Sequence, residues 1–115
     1  LNKIIPHGKE KDLINELFSS GKKFDGIFVS GCTLAAILYN TVKDMGIKVP
    51  SELQIVSYDG EFSNDNHHHI TTLEQPLKDM AKCCIKTLIE LINENKQIQK
   101  INKFDCRFVK GETTK

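Results

Sequence analysis

Nowhere does the 115-residue chain approach the roughly 18 consecutive apolar residues of a membrane-spanning helix, which excludes such a span. Charge of one sign is lacking too. Sixteen Lys and Arg stand against 15 Asp and Glu, a net +1, without the basic excess of a self-contained nucleic-acid-binding domain. The four cysteines, Cys32, Cys83, Cys84 and Cys106, contain no Cys-x-x-Cys pair. Adjacent Cys83 and Cys84 on a helix point about 100° apart and rarely bridge. The expectation is four free thiols buried as small apolar groups in a reducing cytosol, not a metal or redox centre. No Ser/His/Asp order, G-x-S-x-G or glycine-rich phosphate loop is present, so no catalytic set emerges and neither enzyme activity nor a cofactor is expected. The opening Leu1-Asn2-Lys3-Ile4-Ile5 lacks both an initiator Met and the apolar core of a signal peptide. These features lead to the expectation of a cytoplasmic protein whose start lies inside a longer chain.

What is present fits one soluble domain or part of one, with 39% hydrophobic and 27% charged residues. Leu1 to Ile5 reads as a short strand broken at Pro6-His7-Gly8. Leu13, Ile14, Leu17 and Phe18 recur at helical spacing over about Lys9 to Ser20, and Gly21 stops that helix. Phe24 to Val29 reads as a buried strand. A second helix is expected over about Thr33 to Met45, its face being Leu34, Ile37, Leu38, Val42 and Met45, with Ser30 or Thr33 as N-cap. Gly46 suits the position just past that helix, where positive φ is common, and Pro50 forces a new element. Leu53, Ile55 and Val56 supply a strand, and Asp59 follows at its end. The polar segment Gly60 to His69 reads as a loop. A short strand, Ile70 to Leu73, leads to Gln75-Pro76 and a long helix ending at Glu94 or Asn95. Its stripe is Leu77, Met80, Ala81, Cys84, Ile85, Leu88, Leu91 and Ile92. Phe104 to Lys110 alternates like a final strand. Alternating helices and strands predict an α/β fold, a mainly parallel sheet flanked by helices.

Three segments carry a family resemblance in order and at the right spacing: Phe28-Val29-Ser30-Gly31-Cys32-Thr33-Leu34-Ala35, then Gly46 to Asp59, then Ile70-Thr71-Thr72-Leu73-Glu74-Gln75-Pro76. The chain resembles the regulatory core of bacterial repressors of the lactose/galactose-repressor type over roughly residues 24 to 80. The closing Arg107-Phe108-Val109-Lys110-Gly111-Glu112-Thr113-Thr114 also resembles the ending of that family. The resemblance implies a fragment of a type I periplasmic-binding-protein-like core. Residues 1–115 would form part of an effector-binding domain, its C-terminal subdomain, with 70–95 crossing to a first subdomain that this sequence does not include. The parent would be a cytoplasmic dimeric repressor that senses a small-molecule effector, a sugar, and alters its affinity for DNA through linkage between two lobe arrangements. DNA contact would belong to an N-terminal headpiece outside this sequence. A sugar-binding protein serving a transporter with the same fold is the alternative.

For the site, the resemblance implies that Asp59 hydrogen-bonds the effector. A carboxylate accepts two hydroxyl donors at once, which suits a vicinal diol. The local alternative is an ordinary Asp-Gly turn. Gly31 and Cys32 depart from the family pattern, which places Asn and Asp after Ser. Here only backbone groups and a weak thiol are offered, and the amides at the helix start remain as donors. Ile5, Pro6 and His7 stand where relatives place an aromatic against the sugar ring, so Ile5 and His7 are ligand-contact candidates without an aromatic platform. His67-His68-His69 has no partner acid or Cys at a recognised metal spacing and reads as an exposed loop. The stripe on the long helix leads to a further expectation. Left wet it forfeits about 1.5–3 kcal/mol per side chain, so the chain should self-associate or fold that helix back onto its sheet.

Overall fold

Apolar segments of period two and period 3.6 alternate along the chain, and the computed structural model, which describes residues 8–59, 70–94 and 101–115, sorts them accordingly. Among the described residues the order is α1 (Glu10–Ser19), β1 (Gly26–Val29), α2 (Cys32–Asp44), β2 (Gln54–Tyr58), β3 (Thr71–Glu74), α3 (Leu77–Glu94) and β4 (Arg107–Val109). The expected strand at Leu1 to Ile5 and the loop Gly60 to His69 lie outside the described residues. The chain divides into two units, Leu1–Glu74 with Phe108–Lys115, and Gln75–Arg107.

The first unit is built on parallel pairing. β1 runs beside β2 from Gly26↔Gln54 to Val29↔Ser57, and β2 runs beside β3 from Val56↔Thr71 to Tyr58↔Leu73. The strand order is β1-β2-β3-β4. Parallel neighbours need a crossover, and α2 supplies the one between β1 and β2. It packs on both strands, and α1 packs on α2. Ile14, Val29, Ala35, Leu38, Val42, Leu53 and Ile55 form the core between these elements. Phe18 and Phe24 extend it as an edge-to-face pair with centroids 5.6 Å apart.

Helix α2 keeps most of its expected face, with Leu34, Ile37, Leu38 and Val42 in or against the core, and departs at Met45 and at the cap. Its buried line is Ala35, Leu38, Thr41 and Val42, while Met45 is exposed. Thr41 enters that line because its hydroxyl donates to the Ile37 carbonyl at 2.7 Å, which removes the cost of burying it. The N-cap is Gly31, not Ser30 or Thr33, and no side chain caps the helix. Helical geometry begins at Cys32, so Thr33 is already inside the first turn and Ser30 lies one residue too early. The other end matches expectation. Gly46 has φ 80°, its N–H donates to Lys43 O, and the N–H of Ile47 donates to Val42 O. This pair of bonds closes a helix on a left-handed residue.

In the second unit α3 carries its apolar residues outward. Ile85, Leu88, Ile89 and Ile92 are between 51% and 73% exposed, and Leu77 and Leu91 are exposed as well. The half-buried line is instead Met80, Cys83, Thr87 and Glu90. The stripe is thus real as a pattern, and most of its side chains are exposed. The expected burial of the thiols also fails. Cys84 and Cys106 are exposed, Cys32 and Cys83 half-buried, and none forms a disulfide. Cys84 belongs to the same outward line as Ala81 and Leu88 at spacings of three and four, so its exposure follows that of the stripe.

Candidate functional site

Parallel strands end together. The pairings Val29↔Ser57 and Tyr58↔Leu73 bring the C-terminal ends of β1, β2 and β3 to one edge of the sheet. In open α/β sheets this is the edge where ligands bind. Three short segments leave it: Ser30-Gly31 into α2, Asp59 from β2, and the end of β3 at Glu74.

Asp59 follows the central strand directly and has φ 67°, the only non-glycine residue at positive φ among those described. Asp is one of the few side chains that tolerate this region, at a cost that surrounding structure must hold in place. Here the restraint is visible: the Asp59 N–H donates to Leu73 O at 3.0 Å, tying the turn to β3. The residue is half-buried at the edge. Gly31 has extended backbone, φ 165°, and among the described residues no atom lies within 4 Å of where its Cβ would be. Neither conformation nor crowding requires glycine there, so its effect is to leave open space at the start of α2. Its carbonyl accepts the Ala35 N–H, and Cys32 opens the helix with a half-buried side chain.

The structure therefore brings three of the five sequence candidates, Asp59, Gly31 and Cys32, to one edge. Ile5 and His7 lie outside the described residues, as does His67-His68-His69. The edge also holds a half-buried acid that had not been singled out, Glu74. Its signal was present in the sequence: it ends β3 as Asp59 ends β2. An acceptor carboxylate at the same sheet edge as helix-start amides that no described side chain caps offers both acceptors and donors, the complement a hydroxyl group needs. Among the described residues no three His, Cys, Asp or Glu come close enough to hold a metal ion, and no helix is long and apolar enough to cross a membrane.

Parallel βαβ topology with an acid at the central strand's end is the architecture of a periplasmic-binding-protein lobe. The chain belongs to the periplasmic binding protein-like domain family, whose profile matches residues 6–114. Its relatives within that family are regulators of the lactose-repressor type. It is 31% identical over 93 residues to the sucrose operon repressor of Pediococcus pentosaceus, covering 79% of this chain and 28% of that protein. It is 32% identical over 100 residues to the ribose operon repressor of Halalkalibacterium halodurans, covering 86% and 30%. The transcription regulator CcpA of Lactococcus lactis superimposes with a TM-score of 0.78 at 25% identity, over 93% of this chain and 39% of that one. The chain thus spans under a third of the length of the two repressors.

Proposed function

We propose that this chain is the effector-binding part of a sugar-sensing transcriptional repressor. The observation that carries the reading is Asp59, held at positive φ on the ligand-binding edge of a lobe whose relatives are named repressors of sucrose and ribose operons. In this reading the Asp59 carboxylate accepts sugar hydroxyls, and the α2 amides beginning at Cys32 donate to sugar oxygens. Gly31 leaves room for the ring, and the family resemblance adds Ile5 and His7 as ligand-contact candidates. The lobe works without chemistry on its ligand. Binding favours one arrangement of two lobes over another and so shifts the DNA affinity of a dimer. Operator contact belongs to a headpiece beyond these residues, and the site of action is the cytoplasm.

The test is a titration of the ¹⁵N-labelled chain with millimolar D-ribose and sucrose. The reading expects one of the two sugars to move the amide signals of Asp59, Gly31 and Cys32 together. Asp59→Asn should weaken that response. Sugar-dependent shifts confined to other surfaces, or none with either sugar, would overturn it.

A further inference from the structure

A parallel β2/β3 pair would ordinarily place the Thr71 N–H directly on the Ile55 carbonyl, one rung below the Val56↔Thr71 pairing. Thr113 stands on that rung as a relay. The Thr71 N–H donates to Thr113 Oγ1 at 2.9 Å, and the Thr113 hydroxyl donates onward to Ile55 O at 2.6 Å. The Ile55 N–H is taken by the Thr113 carbonyl at 2.9 Å. Thr113 is fully buried, and among the described residues no buried side-chain nitrogen or oxygen lacks a hydrogen-bond partner. Beside it, Thr71 Oγ1 accepts from the Gly111 N–H at 3.0 Å and shares a 2.8 Å bond with Thr114 Oγ1. The segment from Gly111 to Thr114 is therefore a wedge set into the lower end of the β2/β3 ladder.

The upper end of the same two strands holds Asp59. Ile55 stands four residues below it on β2, and Thr71 stands two below Leu73, whose carbonyl receives the Asp59 N–H. An extended strand advances about 3.3 Å per residue and is stiff along its length. The spacing of β2 and β3 at the wedge thus sets their angle, and with it where Leu73 meets Asp59. We propose that Thr113 is a positioning residue for the Asp59 carboxylate, acting through the β2/β3 pair. This rests on the reading of Asp59 as the ligand contact.

Thr113→Val and Thr113→Ser separate the hydroxyl from the volume. Valine keeps the shape and cannot relay, whereas serine keeps the relay. In the ¹⁵N-labelled chain, Thr113→Val should displace the Asp59 amide signal and reduce its protection from hydrogen exchange about fivefold or more, the factor for one lost hydrogen bond of about 1 kcal/mol. Thr113→Ser should restore both. A folded Thr113→Val chain with the Asp59 signal and protection unchanged overturns the proposal. Should that variant fail to fold, exchange in the unaltered chain decides: Ile55, Thr71 and Asp59 amides should open as one unit with equal protection, and independent opening of Asp59 overturns the proposal. The sugar titration keeps the two readings apart. If Asp59→Asn leaves the ribose or sucrose response intact, the ligand reading fails and takes the positioning role with it. If Asp59→Asn removes the response while Thr113→Val leaves it and the Asp59 signal intact, the positioning role alone fails.

Discussion

The amide of Asp59 donates to the carbonyl of Leu73 at 3.0 Å, so the turn that ends β2 is fastened to the strand beside it. The bond uses backbone only, and it holds Asp59 at φ 67°. Backbone and carboxylate can therefore be tested apart. Asp59→Gly should fold with little change in stability, because glycine adopts this region freely, and should lose the sugar response. Asp59→Val should cost about 1–2 kcal/mol, since a β-branched residue is strained there. Urea denaturation of both variants checks this.

The core is thin, which makes its central strand decisive. Ile55 is fully buried between β1 and the C-terminal wedge. Ile55→Ala removes three carbons from a site bounded on both sides and should destabilise by about 2–5 kcal/mol. That is a large fraction of the stability of a domain this size, and thermal unfolding should show the melting transition falling steeply or disappearing.

Gly46 and Gly31 bracket α2 and should respond oppositely to alanine. At Gly46, φ 80° closes the helix, and Gly46→Ala should cost about 1 kcal/mol or more. At Gly31 the backbone is extended and the Cβ site is empty, so Gly31→Ala should stay within about 0.5 kcal/mol. A sugar response that weakens in Gly31→Ala without loss of stability would mark the open space there as ligand volume.

Exposed apolar residues on α3 should make the chain self-associate. Sedimentation velocity should show mass rising with concentration. Ile85→Lys with Ile89→Lys should abolish that rise and leave the unfolding free energy nearly unchanged, because both side chains are more than half exposed. A wild-type chain that stays monomeric at every concentration would contradict this.

Thiol reactivity should follow exposure. Cys84 and Cys106 should react quickly with a chromogenic disulfide reagent, Cys32 and Cys83 slowly, and all four quickly in urea.

Much of this could be read from residues alone, where local chemistry decides. Gly46 announced the end of α2 because only a left-handed residue closes a helix that way. Leu53, Ile55 and Val56 announced β2, and the strand end then placed Asp59 at the C-terminal edge of the sheet. Misreadings arose where the outward direction of a helix face, its exact first residue or a contact distant in sequence decides. The burial default for cysteine failed at Cys84 because its neighbours at helical spacing face outward. The N-cap preference for Ser or Thr failed because the helix begins at Cys32, leaving Gly31 in the capping position. The place of Thr113 had no local sign at all: its two partners, Thr71 and Ile55, lie on β3 and β2, 42 and 58 positions away. A threonine near a chain end has the same pattern whether it is solvated or inserted in a sheet.

That long separation bears on the order in which the molecule forms. Contacts between α1 and α2, and the closure at Gly46, join residues near in sequence and assemble early at little entropic cost. The bond from Thr113 to Ile55 must draw together a loop of 58 positions, so it closes after the strands it separates have met. Until it does, β2 and β3 share an unfinished lower rung. One of the longest closures in this lobe is then made at the foot of the two strands whose upper ends carry Asp59 and Leu73.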